Sequence, residues 1–286
     1  MRALLDTLEK VLDHDVSILL LGEYGSGKDF LARAVHAGGA RRDKPFVHIE
    51  CASIPAELFE SELFGYEKGT FTDAAARKLG KLEMARGGTV YFDEITALAP
   101  PLQAKLLRAM EEKRFTRLGG HASVPFDARV ISSSSADTSA LRRDLFYRIN
   151  VVTVTIPPLR ERAADVARLA RAFLARRKRI ADETVTILEE YAWPGNVREL
   201  KNVIERAVLV EESDTVTPAA LPPLDGDDLV ATAARRGWTL DELESRYIAE
   251  VLRQTKGNRT KAAAILGISR KTLWEKQKAE GRRQKS

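Results

Sequence analysis

The sequence predicts an α/β domain built on a parallel sheet, then an all-helical unit, then a small basic helical unit. Three observations carry that expectation. Short apolar runs at Val16–Leu21, Phe46–Glu50, Val90–Phe92, Ala128–Ser132 and Val151–Ile156 alternate with helical patterns up to residue 160, the order of a parallel sheet covered by helices. The pair Pro157-Pro158 ends that stretch, and residues 161–222 carry only helix-period patterns. Residues 253–286 hold 11 Lys/Arg against 2 Asp/Glu, a net +9, leaving −4 elsewhere in a chain of net charge +5.

The elements follow in order. Helices are expected at Asp29–Ala37, Ala56–Leu63 and Pro101–Lys113, between the apolar runs. The second unit is expected to hold amphipathic helices at Asp165–Arg179, Thr184–Tyr191 and Val197–Val210. Trp193, Pro194 and Gly195 set the turn before a capped helix. Leu221-Pro-Pro-Leu-Asp-Gly-Asp-Asp228 reads as a linker. Beyond it, Leu240–Leu252 is a helix placed to pair two copies. Asn258–Leu266, the turn at Gly267 and Arg270–Lys278 form a helix-turn-helix, with Ser269 capping its second helix. Its expected core is Ala262, Ala263, Leu266, Ile268 and Leu273, with Trp274 assigned to the core rather than to base stacking. The domain limits expected are 1–160, 161–222, a linker 223–237, and 238–286.

Composition excludes several classes. Hydrophobic residues at 44% and charged residues at 30% describe a soluble globular chain of sizeable core. The apolar runs are too short for a membrane span, and Met-Arg-Ala-Leu-Leu-Asp carries no secretory signal pattern. A single cysteine, Cys51, excludes an internal disulfide framework and fits a reducing cytoplasm; with four histidines it also argues against a structural zinc site.

Two segments carry chemistry. Gly22-Glu23-Tyr24-Gly25-Ser26-Gly27-Lys28-Asp29 follows an apolar run and reads as strand, glycine loop and helix start. Glycines let backbone N–H groups turn around phosphate oxygens, and the helix N-terminus adds its positive dipole end. Lys28 reaches the outer phosphates as a point charge. Thr89-Val-Tyr-Phe-Asp93-Glu94 reads as a buried strand that delivers two acids, Asp93 to hold magnesium and Glu94 to orient the attacking water. The usual loop ends Lys-Ser or Lys-Thr, so Asp29 removes the hydroxyl ligand to magnesium. The alternative is a glycine-rich turn without a ligand. In the tail, Arg270, Lys271 and Thr272 sit at the start of the second helix of the motif, where base edges are reached. Arg259, Thr260, Lys261, Lys276 and Lys278 face the backbone of a nucleic acid. A basic hairpin used only for protein contact is the alternative. The run Arg176-Arg-Lys-Arg179 reads as a solvated helix end.

The chain resembles the NtrC-like bacterial enhancer-binding proteins, AAA+ activators of sigma-54 RNA polymerase. The likeness rests on Glu62-Leu-Phe-Gly-Tyr-Glu-Lys-Gly69-Thr-Phe-Thr-Asp-Ala74, Leu102-Gln-Ala-Lys-Leu-Leu-Arg108 and Arg117-Leu-Gly-Gly120. It extends to Pro157-Pro-Leu-Arg-Glu-Arg162 and Trp193-Pro-Gly-Asn-Val-Arg-Glu-Leu200. The resemblance implies an AAA+ P-loop domain with a parallel sheet, an all-helical lid and a C-terminal Fis-type helix-turn-helix. It implies an ATPase using ATP and Mg2+ in a hexameric ring, dimeric when inactive, that binds enhancer DNA and remodels sigma-54 holoenzyme into an open complex. By the same resemblance Arg142 and Arg148 are arginine fingers offered to a neighbouring subunit; surface ion pairs are the alternative. Arg198 is the nucleotide-sensing arginine of the lid, or else an arginine at a helix start. Phe71 and Thr72 are the tip that presses on sigma-54, unless Phe71 is tucked against the sheet.

Departures from the family pattern define a second expectation. Asp73 stands for a glycine in the sigma-contacting loop, and Glu50 for the asparagine that restrains the catalytic glutamate. Ser135 stands for an asparagine that positions water or the γ-phosphate, and the segment before Arg142 is shortened. A second acid beside Glu94 can raise a pKa, and a shorter Ser135 can slow turnover. These favour a DNA-binding regulator with a degenerate AAA+ module, independent of sigma-54; a general AAA+ remodeller leaves the basic tail unexplained. The family places a receiver or ligand-sensing domain, and a short adenine-contacting segment, ahead of the ATPase; one helix follows Met1 here, so both are expected to be absent.

Overall fold

The computed structural model describes residues 2–72, 74–135, 137–174, 178–224, 237–255, 258–274 and 276. The expectations for Asp73, Lys278, most of the linker 223–237 and the first half of the run Arg176–Arg179 lie outside these residues. The chain divides into two compact units, Met1–Pro222 and Pro223–Ser286.

The first unit is organised by five parallel strands: β1 (Ile18–Leu21), β2 (Phe46–Glu50), β3 (Thr89–Asp93), β4 (Arg129–Ser134) and β5 (Val152–Thr155). Their order is β2-β3-β4-β1-β5. Residues 18–20 of β1 and 89–92 of β3 are buried, as expected of strands covered on both faces. Glu50 stands beside Asp93, Phe92 beside Ser132, and Leu21 beside Ser134. The carboxyl ends of four strands therefore share one edge, with β1 at the switch in strand order.

Helices cover both faces. On one side lie α1 (Arg2–Glu9) and α2 (Lys28–Gly38), packing Leu8, Leu31 and Val35 against Ile18, Leu20 and Tyr91. On the other lie α3 (Ala56–Phe64), α4 (Pro100–Glu112) and α5 (Arg143–Ile149). There Phe59, Leu63, Leu106, Met110 and Leu145 meet Leu19, Ile49 and Phe92. Each large apolar side chain so buried contributes roughly 1.5–3 kcal/mol. Helix α4 begins with proline in its first turn, where the missing N–H costs nothing. It buries Leu102, Gln103, Leu106, Leu107 and Met110 at helical spacing and ends at Lys113, a left-handed residue.

The lid comprises α6 (Ala164–Phe173), α7 (Asp182–Glu190) and α8 (Asn196–Val210). It is helical apart from one short ladder. The helix expected through Arg179 stops at Phe173, and Arg179–Ile180 instead pair with Thr215–Val216. Long-range pairing overrides the local helical pattern here. Trp193 is buried and donates its indole N–H to the Leu188 carbonyl at 2.7 Å, so it sets the turn as the sequence indicates.

The second unit holds α9 (Leu240–Gln254) and α10 (Arg259–Leu266), and residues 270–274 and 276 are helical. A capping box starts α9: Thr239 N–H donates to Glu242, and Glu242 N–H to the Thr239 hydroxyl. Asn258 caps α10, and Gly267 ends it in the left-handed conformation. Ser269 accepts the Thr272 N–H at 3.0 Å, the expected cap of the last helix. The core is Ile248, Val251, Ala262, Ala263 and Leu273, with Leu266 and Ile268 packed on it. The expectation for Trp274 is corrected: it is 49% exposed while Leu273 is 0% exposed. Neighbouring helix positions point about 100° apart, so both cannot face one small core.

Glu211 accepts from the N–H and hydroxyl of both Ser213 and Thr217. These bonds, Thr217's hydroxyl first, lower its pKa from 4.5 to about 2. A depressed carboxylate stabilises fully above its unfolded value and loses that contribution as pH falls through its folded value. Amide exchange at Ser213 and Thr217 is expected to accelerate relative to the lid average as pH falls from about 4.5 towards 2. Glu211→Ala is expected to remove that pH dependence.

Candidate functional site

The glycine loop leaves β1 at Leu21 and enters α2 at Lys28. Gly27 caps α2 at φ 104° with no side-chain partner for the first turn. Gly25 has φ 74°, and a Cβ there would lie 2.3 Å from the Gly195 carbonyl; only glycine fits. That closeness comes from the lid, which holds the loop through five groups. Val197 N–H donates to the Gly25 carbonyl at 3.0 Å. The Asn196 amide donates to Glu23 and to the Tyr24 carbonyl, both at 3.1 Å. Arg160 forks onto Glu23 at 2.6 and 2.8 Å, and Arg162 donates to the Ser26 carbonyl at 2.8 Å. The Arg198 guanidinium lies 4.5 Å over the Tyr24 ring. Glu23 therefore faces the lid, held low in pKa by Arg160 first and Asn196 second.

Inside the loop, Lys28 is buried and donates to the Gly22 carbonyl at 2.6 Å and the Glu23 carbonyl at 3.3 Å. Burial draws its pKa down, opposed by the charges of Glu94 and Asp93. The Ser26 hydroxyl is buried without a hydrogen-bond partner, and a Cβ on Gly27 would meet nothing within 4 Å. An orphaned hydroxyl and open space beside a helix N-terminus fit a phosphate chain.

The two acids sit at the end of β3. Asp93 Oδ1 accepts from the Tyr91 hydroxyl at 2.9 Å and the Ser133 hydroxyl at 2.5 Å. Oδ2 lies 3.7 Å from His48 Nε2, and His48 Nδ1 lies 3.9 Å from Asp29 Oδ1. His48, then the two hydroxyls, hold the Asp93 pKa far below the usual carboxylate range, against the opposing effect of burial. Burial pushes the Tyr91 hydroxyl well above its ordinary value, so it stays a neutral donor. Asp29 forks onto Arg33 at 3.2 Å. Glu94 takes a left-handed backbone, φ 53° and ψ 58°, and its N–H donates to Ser133 Oγ at 3.0 Å. Its Oε1 accepts from Thr96 at 2.9 Å, the Ser135 N–H at 3.1 Å and the Ser135 hydroxyl at 3.2 Å. Ser135, which stands for the family's asparagine, bonds Glu94 through both its N–H and its hydroxyl. Glu50 is exposed. An ionised Asp93 whose Oδ2 carries no hydroxyl donor suits a hard divalent cation.

Other expected residues lie apart. Arg142 forks onto Asp144 at 2.7 and 3.1 Å, and its N–H donates to buried Gln103. Gln103 also donates to the Leu98 and Ala140 carbonyls, which anchors the Arg142 segment on α4. Arg148 donates to the Met110 carbonyl at 3.1 Å. The Gly69–Ala74 loop is closed by Gly69 N–H to the Ala74 carbonyl and by the Thr70 hydroxyl on the Glu67 and Leu118 carbonyls. Phe71 is 44% exposed, its ring 4.7 Å from Tyr66 in an edge contact. In the second unit Arg259, Thr260, Arg270 and Lys271 are exposed and Thr272 is half-buried. Lys276 is paired with Glu244 at 2.7 Å.

Sequence reasoning missed Tyr91, Ser133, Thr96, His48, Gln103, Arg160 and Arg162. Tyr91, Gln103, Arg160 and Arg162 stood in motifs quoted above, and Thr96 lies two residues past Glu94; His48 and Ser133 carried no local signal.

A glycine loop facing paired acids at the edge of a parallel sheet, beneath a helical lid, defines an AAA+ nucleotide-binding fold. Residues 1–155 match the Sigma-54 interaction domain, 160–232 the AAA+ ATPase lid domain, and 239–279 the bacterial regulatory proteins of the Fis family. The chain belongs to the sigma-54 interaction domain family. It is 41% identical over 293 residues to the transcriptional regulatory protein ZraR of Klebsiella oxytoca, covering 96% of this chain and 66% of that one. It is 40% identical over 290 residues to the regulatory protein AtoC of Escherichia coli K12, covering 93% and 63%. The chain thus spans about two thirds of the length of these curated relatives. A crystal structure of NtrX from Brucella abortus in complex with ADP is similar at TM-score 0.70 and 31% identity, over 97% of this chain and 66% of that one. No described helix is long and apolar enough to cross a membrane.

Gly25→Ala places a Cβ against the Gly195 carbonyl at a positive φ. It is expected to destabilise the first unit by about 1–3 kcal/mol, read as a lowered urea midpoint; Gly27→Ala meets no neighbour and is expected to cost less, through its positive φ alone.

Proposed function

We propose that the chain is a sigma-54-dependent transcriptional activator. It binds enhancer DNA through its C-terminal unit and hydrolyses ATP in a hexameric ring, in the cytoplasm, to remodel sigma-54 RNA polymerase holoenzyme into an open complex. The observation that carries this reading is the joint presence, in one family member, of the Lys28 loop facing Asp93 and Glu94 and the half-exposed Phe71 on its anchored loop. NtrX of Brucella abortus has been crystallised with ADP and with ATP, which supports the same nucleotide here.

In this mechanism the N–H groups of Gly22–Asp29 and the Lys28 ammonium bind the phosphates, the orphaned Ser26 hydroxyl among the donors. Asp93 would hold magnesium, which would supply positive charge to the phosphates when bound. Glu94 orients the attacking water and accepts its proton. Arg198 leaves the Tyr24 face to sense the terminal phosphate. Arg142 and Arg148 of one subunit serve its neighbour's site, which makes hydrolysis depend on assembly. Phe71 and Thr72 contact sigma-54. Arg270, Lys271 and Thr272 read bases, while Arg259, Thr260 and Lys276 meet phosphates, Lys276 by releasing Glu244. The functional parts run 1–160, 161–222, 223–237 and 238–286.

A second reading is a DNA-binding regulator without sigma-54 coupling. The exposed Glu50 beside Asp93 favours it.

Transcription from a sigma-54 promoter on supercoiled DNA, with holoenzyme and ATP, tests the proposal. Wild type is expected to form open complexes. Glu94→Gln is expected to bind ATP but lose hydrolysis and activation. Promoter binding without activation moves the assignment to the second reading. Arg270→Ala with Lys271→Ala is expected to cost roughly 1–3 kcal/mol of specific DNA affinity per base contact and to spare ATP turnover, measured by competition against random DNA.

A further inference from the structure

Asp93 has two carboxylate oxygens, and the structure treats them differently. Oδ1 carries two donors, the hydroxyls of Tyr91 at 2.9 Å and Ser133 at 2.5 Å. Oδ2 carries neither; His48 Nε2 lies 3.7 Å from it, beyond hydrogen-bond reach. A hydroxyl has one proton and two lone pairs. Ser133 spends its proton on Asp93 Oδ1 and accepts the Glu94 N–H at 3.0 Å. One side chain of β4 therefore touches both acids of β3. It is fully buried, and removing it would leave the Glu94 N–H and one lone pair of Asp93 without partners.

We propose that Ser133 and Tyr91 are positioning residues for ATP hydrolysis. Together they saturate Oδ1 so that Oδ2 is the oxygen presented to the metal, and Ser133 alone transmits that orientation to the left-handed peptide of Glu94. This rests on the ATPase reading above. The two residues then differ in a readable way. Tyr91 acts on the metal only; Ser133 acts on the metal and on the water-orienting acid.

The test uses the full chain with Ser133→Ala and Tyr91→Phe. Two quantities are measured: the magnesium concentration for half-maximal hydrolysis at saturating ATP, and the affinity for a fluorescent ATP analogue with magnesium and with EDTA. Partners of metal ligands typically govern affinity by 10–100-fold. Ser133→Ala is expected to raise the magnesium midpoint about tenfold or more, and to lower kcat even at saturating magnesium. Tyr91→Phe is expected to raise the midpoint less, with kcat restored at saturating magnesium. Both variants are expected to keep the wild-type affinity in EDTA. A wild-type midpoint in either variant overturns the proposal, as does an affinity that falls equally with and without magnesium. Should Ser133→Ala fail to fold, Tyr91→Phe decides. A wild type that hydrolyses no ATP rejects the ATPase reading, and the binding measurements still decide the positioning roles.

Discussion

Parallel strands end together, and the contacts between the two acids and the serines of β4 require that alignment. Glu50 stands beside Asp93 and Phe92 beside Ser132, so the residues just past them, Glu94 and Ser133, meet across the β3–β4 seam. A slip of one residue would turn each side chain to the opposite face. Ser133 would leave Asp93, and Tyr91 would leave the apolar layer formed with Ile18 and Ile131. Register here is enforced by the two cores on either side of the sheet, which the buried positions of β1 and β3 belong to. The placement of the two acids thus follows from apolar packing on both faces of the sheet.

The second constraint is the lid's hold on the loop. Glu23 gives its carboxylate to Arg160 and Asn196, and the loop carbonyls of Tyr24, Gly25 and Ser26 accept from Asn196, Val197 and Arg162. With the carbonyls of Tyr24, Gly25 and Ser26 turned to the lid, the loop leaves the Ser26 hydroxyl for a ligand, while the Gly22 and Ser26 N–H groups already donate to the Ser134 and Glu23 carbonyls. Charge on Glu23 is neutralised outward, so it does not repel an anion inside. The same contacts make lid position a function of loop state: anything that moves Arg198 off Tyr24 acts beside Val197 and Asn196, its neighbours in α8.

Four of the strands were legible as short apolar runs closed by Gly, Pro or charge, and β2 falls on Phe46–Glu50 in both readings; β4, which runs into serines, extends two residues past its expected end. The glycine loop and the acid pair were legible because their spacing is local. What was not legible is what crosses the chain. Glu94 meets Ser133 and Ser135 over 39 and 41 residues, and Glu23 meets Arg160 over 137. A serine run such as Ser132–Ser135 carries no periodicity that marks Ser133 as the one facing Asp93. The end of α6 and the exposure of Trp274 were misread for the same reason: a distant partner, Thr215–Val216 in one case and a small core already filled by Leu273 in the other, decided the outcome.

Adjacent acids present a geometric problem, which the backbone of Glu94 resolves. In a regular strand, neighbouring side chains point to opposite faces, so Asp93 and Glu94 could not both serve one edge. Glu94 instead adopts φ 53°, outside the strand. Such a conformation costs a non-glycine residue of order 1–3 kcal/mol and persists only when its surroundings over-determine it. Four hydrogen bonds do so: the N–H to Ser133, and Oε1 with Thr96 and twice with Ser135. Three of the four reach from β4 and the residue that follows it. Serines where the family carries other side chains therefore do not by themselves mark a degenerate site. They supply donors and an acceptor that hold a strained glutamate, and Glu50 is exposed at the neighbouring strand end.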